Sequence, residues 1–146
     1  MSLNLHLCQF GIDQPFFDKV QGVVLVFNIG EPDSYEAVRR AVRQAKDEVG
    51  DELIGVIAAN HGELRHTYNE NLVEYKKLES LEDEFSIKVI EVSSVTNENV
   101  EELFFYVTKK MVQKMKKEKK NLEVQKRKKV IKRRSTSHIT NHYCCY

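Results

Sequence analysis

The sequence predicts an α/β fold in three layers, a parallel sheet covered by helices on both sides. Three observations predict it. Apolar runs rich in Val and Ile recur at Val23–Ile29, Leu53–Ala59 and Ile87–Val92. Each is too short to cross a membrane, and Val23–Ile29 reads as apolar on both faces, as buried parallel strands are. Segments with apolar residues at helical spacing lie between and after them, giving the order β–β–α–β–α–β–α, and strands that alternate with helices pair in parallel through right-handed crossovers.

Each element has its own signal. From Leu3 to Phe10, Leu3, Leu5 and Leu7 alternate with Asn4, His6 and Cys8, the period of a strand with one buried face. Gly22 and Gly30 bound the second strand. Asp33, with Glu36 three residues on, is the expected N-cap of the first helix, and Val38, Ala41, Val42, Ala45 and Val49 form its apolar face. Gly50 is its expected stop. After the strand at Leu53–Ala59 comes a polar loop, Asn60 to Thr67. Leu72, Val73, Tyr75, Leu78, Leu81 and Phe85 mark a second helix, and Ile87–Val92 the next strand. Thr96 or Asn97 caps a third helix carrying Val100, Leu103, Phe104, Val107, Met111 and Met115 on one face. Helical character can extend over 116–134, whereas Ser135 to Tyr146 has no periodicity.

Composition narrows the class. A chain of 146 residues, 41% hydrophobic, suits one domain with a modest core. No apolar run approaches the length of a transmembrane helix, and the first residues lack the charged and apolar regions of a secretory signal, which points to the cytosol. Three cysteines make no disulfide framework, and Cys144 and Cys145 are neighbours, which seldom pair. Cys8 reads as a small buried apolar side chain rather than a nucleophile. The net charge of +1 hides a division: residues 1–108 carry 9 Lys/Arg against 20 Asp/Glu, and residues 109–146 carry 14 against 2. An acidic body with a basic tail is expected to meet an anionic partner, a membrane surface or nucleic acid.

Three motifs carry a resemblance. Ala58-Ala59-Asn60-His61-Gly62-Glu63 ends one strand, Glu91-Val92-Ser93-Ser94-Val95 ends the next, and Cys144-Cys145-Tyr146 closes the chain behind the basic run. Together they make the chain resemble a Ras-superfamily small GTPase of the Rab type, over residues 3–117 plus the tail. The family writes Asn-Lys-x-Asp at the first motif, Glu-Thr-Ser-Ala-Lys at the second, and a doubly prenylated cysteine pair at the third. The resemblance implies a P-loop NTPase-like (small GTPase) fold. The expected domains are a partial small-GTPase-like domain over 1–117 and a basic, disordered tail over 118–146.

What it implies for a site is residue-specific. Glu63 stands where the family carboxylate accepts two guanine N–H donors, a pair that adenine does not offer. Asn60 matches the residue that braces the loop and contacts the base. His61 replaces a Lys whose stem covers the base, and its ring can stack instead. Ser93 matches, and Ser94 supplies the backbone N–H that meets guanine O6. The same residues also suit a polar loop beside a capped strand end. Gly11 matches the Gly of the family's Asp-x-x-Gly-Gln, while Cys8 and Ile12 replace its Asp and Gln. No Gly-x-x-x-x-Gly-Lys-Ser/Thr occurs in the sequence. The expectation is a fold lacking the first strand, P-loop and first helix: a truncated isoform, a fragmentary gene model or a degenerate relative. Guanine nucleotide (GTP or GDP) is the implied cofactor, Mg²⁺ is not expected, and no residue is assigned a catalytic role.

The implied setting is vesicle trafficking or signalling on the cytosolic face of an internal membrane, as a monomer with protein effectors. Prenyl groups on Cys144 and Cys145 would act with the basic run as a two-signal anchor. Two other readings stay open: a nucleotide-independent scaffold, and a nucleic-acid binder using the basic run, which lacks interleaved aromatics. His138, His142, Cys144 and Cys145 could alternatively form a metal cluster, while His61 and His66 read as loop residues.

Overall fold

The structure, a computed structural model, describes residues 5–8, 22–50, 53–67 and 71–137, with the backbone alone for 5–8 and 130–137. In chain order the elements are β1 (Leu5–Cys8), β2 (Gly22–Asn28), α1 (Pro32–Val49), β3 (Gly55–Asn60), a 3₁₀ turn (Gly62–His66), α2 (Tyr75–Phe85), β4 (Lys88–Glu91) and α3 (Val100–Ser137). The strands form one parallel sheet in the order β1-β2-β3-β4. β1 lies directly against β2, Leu5 opposite Gly22 and Cys8 opposite Leu25. This pairing leaves no gap between the two strands. It spares buried backbone groups the cost of lost hydrogen bonds.

Alternation along the strands divides the core. On one face Val23, Leu25, Phe27, Ile57, Ala59 and Val89 meet Tyr35, Val38, Val42 and Ala45 of α1 and Leu78, Leu81 and Phe85 of α2. On the other face Val24, Val56, Ala58 and Ile90 meet Leu103, Val107 and Met111 of α3. These are the three layers expected from the sequence. The chain divides into two compact units, Met1–Met111 and Val112–Tyr146, with α3 running through the boundary.

The element boundaries depart from expectation for local reasons. α1 begins at Pro32 with Glu31 as N-cap, so Asp33 sits inside the first turn instead of capping it. Proline suits the first helical position, where its fixed φ is right and its missing N–H is not needed. Gly50 ends α1 at φ 81°, donating its N–H to Lys46 O at 2.8 Å. Leu72 and Val73 precede α2, and Val73 instead donates its N–H to Ile29 O at 2.8 Å. The third helix starts at Val100, not after Thr96 or Asn97, because a Ser93–Glu98 bridge closes a turn and Asn97 and Asn99 take left-handed φ of 63° and 55°. α3 continues to Ser137, across the 116–134 stretch where the sequence allows the helix to extend, and the first compact unit ends at Met111.

Leu81 is fully buried where α2 meets the sheet. Leu81→Ala should lower stability by about 2–5 kcal/mol, read as a fall in urea midpoint at unchanged m-value. A loss below about 1 kcal/mol would contradict this packing.

Candidate functional site

β2, β3 and β4 run the same way, so Asn28, Asn60 and Glu91 close them at one edge of the sheet. Two loops leaving this edge lock together. Asn60 Oδ1 accepts from the Ser94 N–H at 3.0 Å, and Asn60 Nδ2 donates to Ser94 Oγ at 3.2 Å. Next to this two-bond clip, the hydroxyl of Ser93, itself fully buried, donates to Glu63 Oε2. His61 Nδ1 lies 2.8 Å from Glu63 Oε1, a contact that places the ring proton on Nδ1. These two bonds hold the Glu63 carboxyl below the usual glutamate range, the Ser93 hydroxyl being the larger cause and His61 the next.

The backbone is shaped for this contact. His61 has a left-handed φ of 69°, which turns the chain sharply out of β3. Gly62 then donates its N–H to Val92 O at 2.9 Å, and a Cβ on Gly62 would lie 3.3 Å from both Val92 O and Glu91 Cγ. A side chain there would have to push the two loops apart.

A second set of residues braces the loop, and sequence reasoning did not find it. Arg65 Nη2 and Nε donate to Glu91 Oε2 at 2.7 and 3.0 Å, both side chains being largely buried. The Arg65 guanidinium also lies 4.2 Å from the centroid of the Tyr75 ring. Asn99 Nδ2 donates to Glu91 O at 2.9 Å. The available signal was a basic residue in the loop and an acidic one ending the next strand, but nothing local in sequence links positions 26 apart.

At the end of β2, Asn28 Oδ1 accepts from Gly30 N–H at 2.9 Å, Asn28 Nδ2 donates to Glu31 Oε1 at 3.1 Å, and Asn28 N–H donates to Ser34 Oγ at 3.0 Å. Asn28, Glu31, Ser34, Asn60 and His61, with Val26 and Phe27, line a cleft of about 210 Å³. Among the described residues, no group of His, Cys, Asp and Glu could hold a metal ion.

The structure thus brings Asn60, His61, Glu63, Ser93 and Ser94 together. Gly11, Cys144 and Cys145 lie outside the described residues, as do His138 and His142. An ionised carboxylate offers about four lone-pair positions, so Glu63 keeps acceptor capacity beyond Ser93 and His61.

A parallel sheet between helix layers, with two polar loops clipped together beyond its carboxyl ends, defines a three-layer α/β protein. A model of the Ras family matches residues 10–113, and the chain belongs to the Ras family. It is Rab-like. Ras-related protein RAB1BV of Beta vulgaris is 26% identical over 104 residues, 71% of this chain and 47% of that protein. Ras-related protein RABE1e of Arabidopsis thaliana is 25% identical over the same shares. Ras-related protein Rab-21 of Homo sapiens is 26% identical over 98 residues, 67% of this chain and 42% of its own. The chain therefore spans about half the length of the curated relatives it matches.

Ser93→Ala should return the Glu63 carboxyl toward its ordinary range, because it removes the largest cause of the shift. A glutamate depressed in the folded state adds stability above its unfolded pKa and loses it as pH falls through the folded value. The variant should therefore show less acid destabilisation from this group. Carbon-detected NMR titration of Glu63 in both proteins reads it; an unmoved titration would break the assignment.

Proposed function

We propose that the chain is a Rab-like module that reads a guanine base at the clipped carboxyl edge and attaches through its basic C-terminal run to the cytosolic face of an internal membrane. One observation carries the reading: Asn60, His61 and Glu63 of one loop and Ser93 and Ser94 of the next are joined in a single hydrogen-bonded cluster. Glu63 then supplies acceptors for guanine N1–H and the exocyclic amine, and the His61 ring covers the base, while the Ser94 backbone N–H is held by Asn60 Oδ1. The bonds from Ser93 and His61 set the carboxylate in place and keep it ionised, so little ordering remains to be done on binding.

The phosphates of a GTP or GDP find no matching group among the described residues, and no catalytic role is assigned. Attachment is by prenyl groups on Cys144 and Cys145 together with the cationic run from Lys109 to Arg134. No helix among the described residues is long and apolar enough to cross a membrane. The module acts as a monomer that presents its surface to protein effectors in vesicle-mediated transport. A nucleotide-independent scaffold is the second reading, favoured by the fact that both Glu63 oxygens are already engaged within the protein.

Titration of the purified chain with fluorescent GDP decides between them. Binding should be displaced by guanine but not adenine compounds. Glu63→Ala should weaken GDP binding by about one to two orders of magnitude. Absence of binding at millimolar GDP would leave the scaffold. For the tail, intact mass after expression in a prenylating host should show two isoprenoid additions, lost in a Cys144→Ser/Cys145→Ser variant. An unmodified C-terminus would remove the anchor, and sedimentation with DNA but not with anionic liposomes would favour nucleic acid.

A further inference from the structure

α3 has a buried part and a bare one. Leu103, Val107 and Met111 are buried, whereas every residue from Lys116 to Lys129 is exposed. Residues 112–137 hold 12 Lys and Arg, opposed only by Glu118 and Glu123, and residues 109–134 contain no Ser, Thr or Tyr. The first hydroxyls after Thr108 come as a set, Ser135-Thr136-Ser137, and these are the last three residues of the helix. Lys132-Arg133-Arg134 stands immediately before them.

This placement meets the demands of a phosphate-transferring enzyme. Its target turn has to open, and a turn held weakly opens cheaply. The last four carbonyls of a helix have no partner within it, and like charges at Lys126, Lys129 and Arg133, one turn apart in succession, weaken the turns before. The enzyme must also choose among hydroxyls. Thr136 alone among the Ser and Thr residues of the chain has Arg both two and three residues before it, Arg134 and Arg133. Two guanidinium groups at fixed distance are what an acid-lined substrate cleft can read.

A phosphate there has a physical consequence. It carries about −1.5 to −2 charges, and Arg133 and Lys132 stand three and four residues back, the spacing of helical neighbours. It would engage the nearest cations, and it would stand at the helix end where the dipole disfavours negative charge. Both effects subtract from the charge that draws the run to an anionic leaflet.

We infer that Thr136 is a phosphorylation site, and that phosphate on it releases the basic run from anionic lipid. This rests on the membrane attachment proposed above and adds its regulation. In the transfer the Thr136 hydroxyl oxygen forms a bond to the γ-phosphorus of ATP as the bond from that phosphorus to the bridging oxygen breaks. ADP leaves with the electron pair, and the hydroxyl proton passes to a carboxylate of the kinase.

Incubation of the full chain with ATP and the catalytic subunit of cAMP-dependent kinase, followed by peptide mass spectrometry, tests the site. Phosphate should appear on Thr136, and about tenfold or more slowly in Arg133→Ala/Arg134→Ala. Sedimentation with phosphatidylcholine vesicles containing about one third phosphatidylserine tests release. The phosphorylated chain should bind them about ten- to thirtyfold more weakly than the unmodified chain. Thr136→Ala taken through the same reaction should bind as the unmodified chain does. No phosphate, or phosphate only at other positions, would overturn the inference and spare the attachment. Phosphate on Thr136 with undiminished lipid binding would overturn the release. An unmodified chain that ignores the vesicles would take down the attachment itself, and the release with it.

Discussion

Burial of the sheet on both faces is the constraint on which the rest of the structure depends. Val24 and Val56 are fully buried on one side, and Ile57 on the other. Backbone groups between two dry faces have no water to turn to, so each strand must find a neighbour along its length. β1 does so by pairing with β2 directly. Two dry faces also require a helix layer on each, and chain leaving one parallel strand must cross over before entering the next. Every strand then ends at the same edge. The gathering of Asn28, Asn60 and Glu91 there follows from topology, before any question of chemistry.

What the chain does with that edge is a matter of polar satisfaction. Ser93 is fully buried, and a buried hydroxyl without a partner costs about 1–3 kcal/mol. Its O–H bond to Glu63 and the Thr96 N–H bond it accepts at 3.1 Å avoid that cost. The same bonds fix a carboxylate at the surface with its charge retained. Holding His61 at positive φ costs on the order of 1–3 kcal/mol, and such strain persists only when the surroundings impose it. Here they do: the Gly62 N–H is tied to Val92 O, and Arg65 is tied to Glu91 and covered by Tyr75. The strained residue stands between two anchored ends. Its ring is thereby aimed at Glu63 and not left to sample open solvent.

How much of this was legible in the sequence depends on the range of the interaction. The layers were legible because their signal is periodic: apolar runs such as Val23–Ile29 admit few other environments, and Val38, Val42 and Ala45 can share only a helical face. The motif residues Asn60, His61, Glu63, Ser93 and Ser94 were legible by resemblance, and the structure brings them together. Boundaries were less so. Asp33 had the right chemistry for a cap, but Pro32 decides where the helix begins. Nothing in Thr96-Asn97-Glu98-Asn99 announces that two asparagines turn left-handed and push the helix start to Val100. The Arg65–Glu91 pair escaped because two charged residues in a chain this rich in charge carry no mark of which partner they will meet. The roles of Asn28 and Glu31 escaped because they depend on β2 and β3 ending level, a fact of register and not of composition.

The basic run has its own physical problem. Residues 112–137 are helical, yet Lys116 and Lys120 stand one turn apart, as do Lys126 and Lys129, and only Glu118 and Glu123 oppose the positive charge from Lys109 onward. Like charges at this spacing destabilise a helix by a few tenths of a kcal/mol per pair. Apolar side chains offer little in return, since Leu122 and Val124 are exposed. The helical state of this segment is therefore held weakly by its own interactions. An anionic surface changes that balance, because each Lys or Arg brought near it gains about 1 kcal/mol and its neighbours cease to repel it. On such a surface, binding and helix formation would reinforce each other, and ionic strength would screen both the attraction and the repulsion.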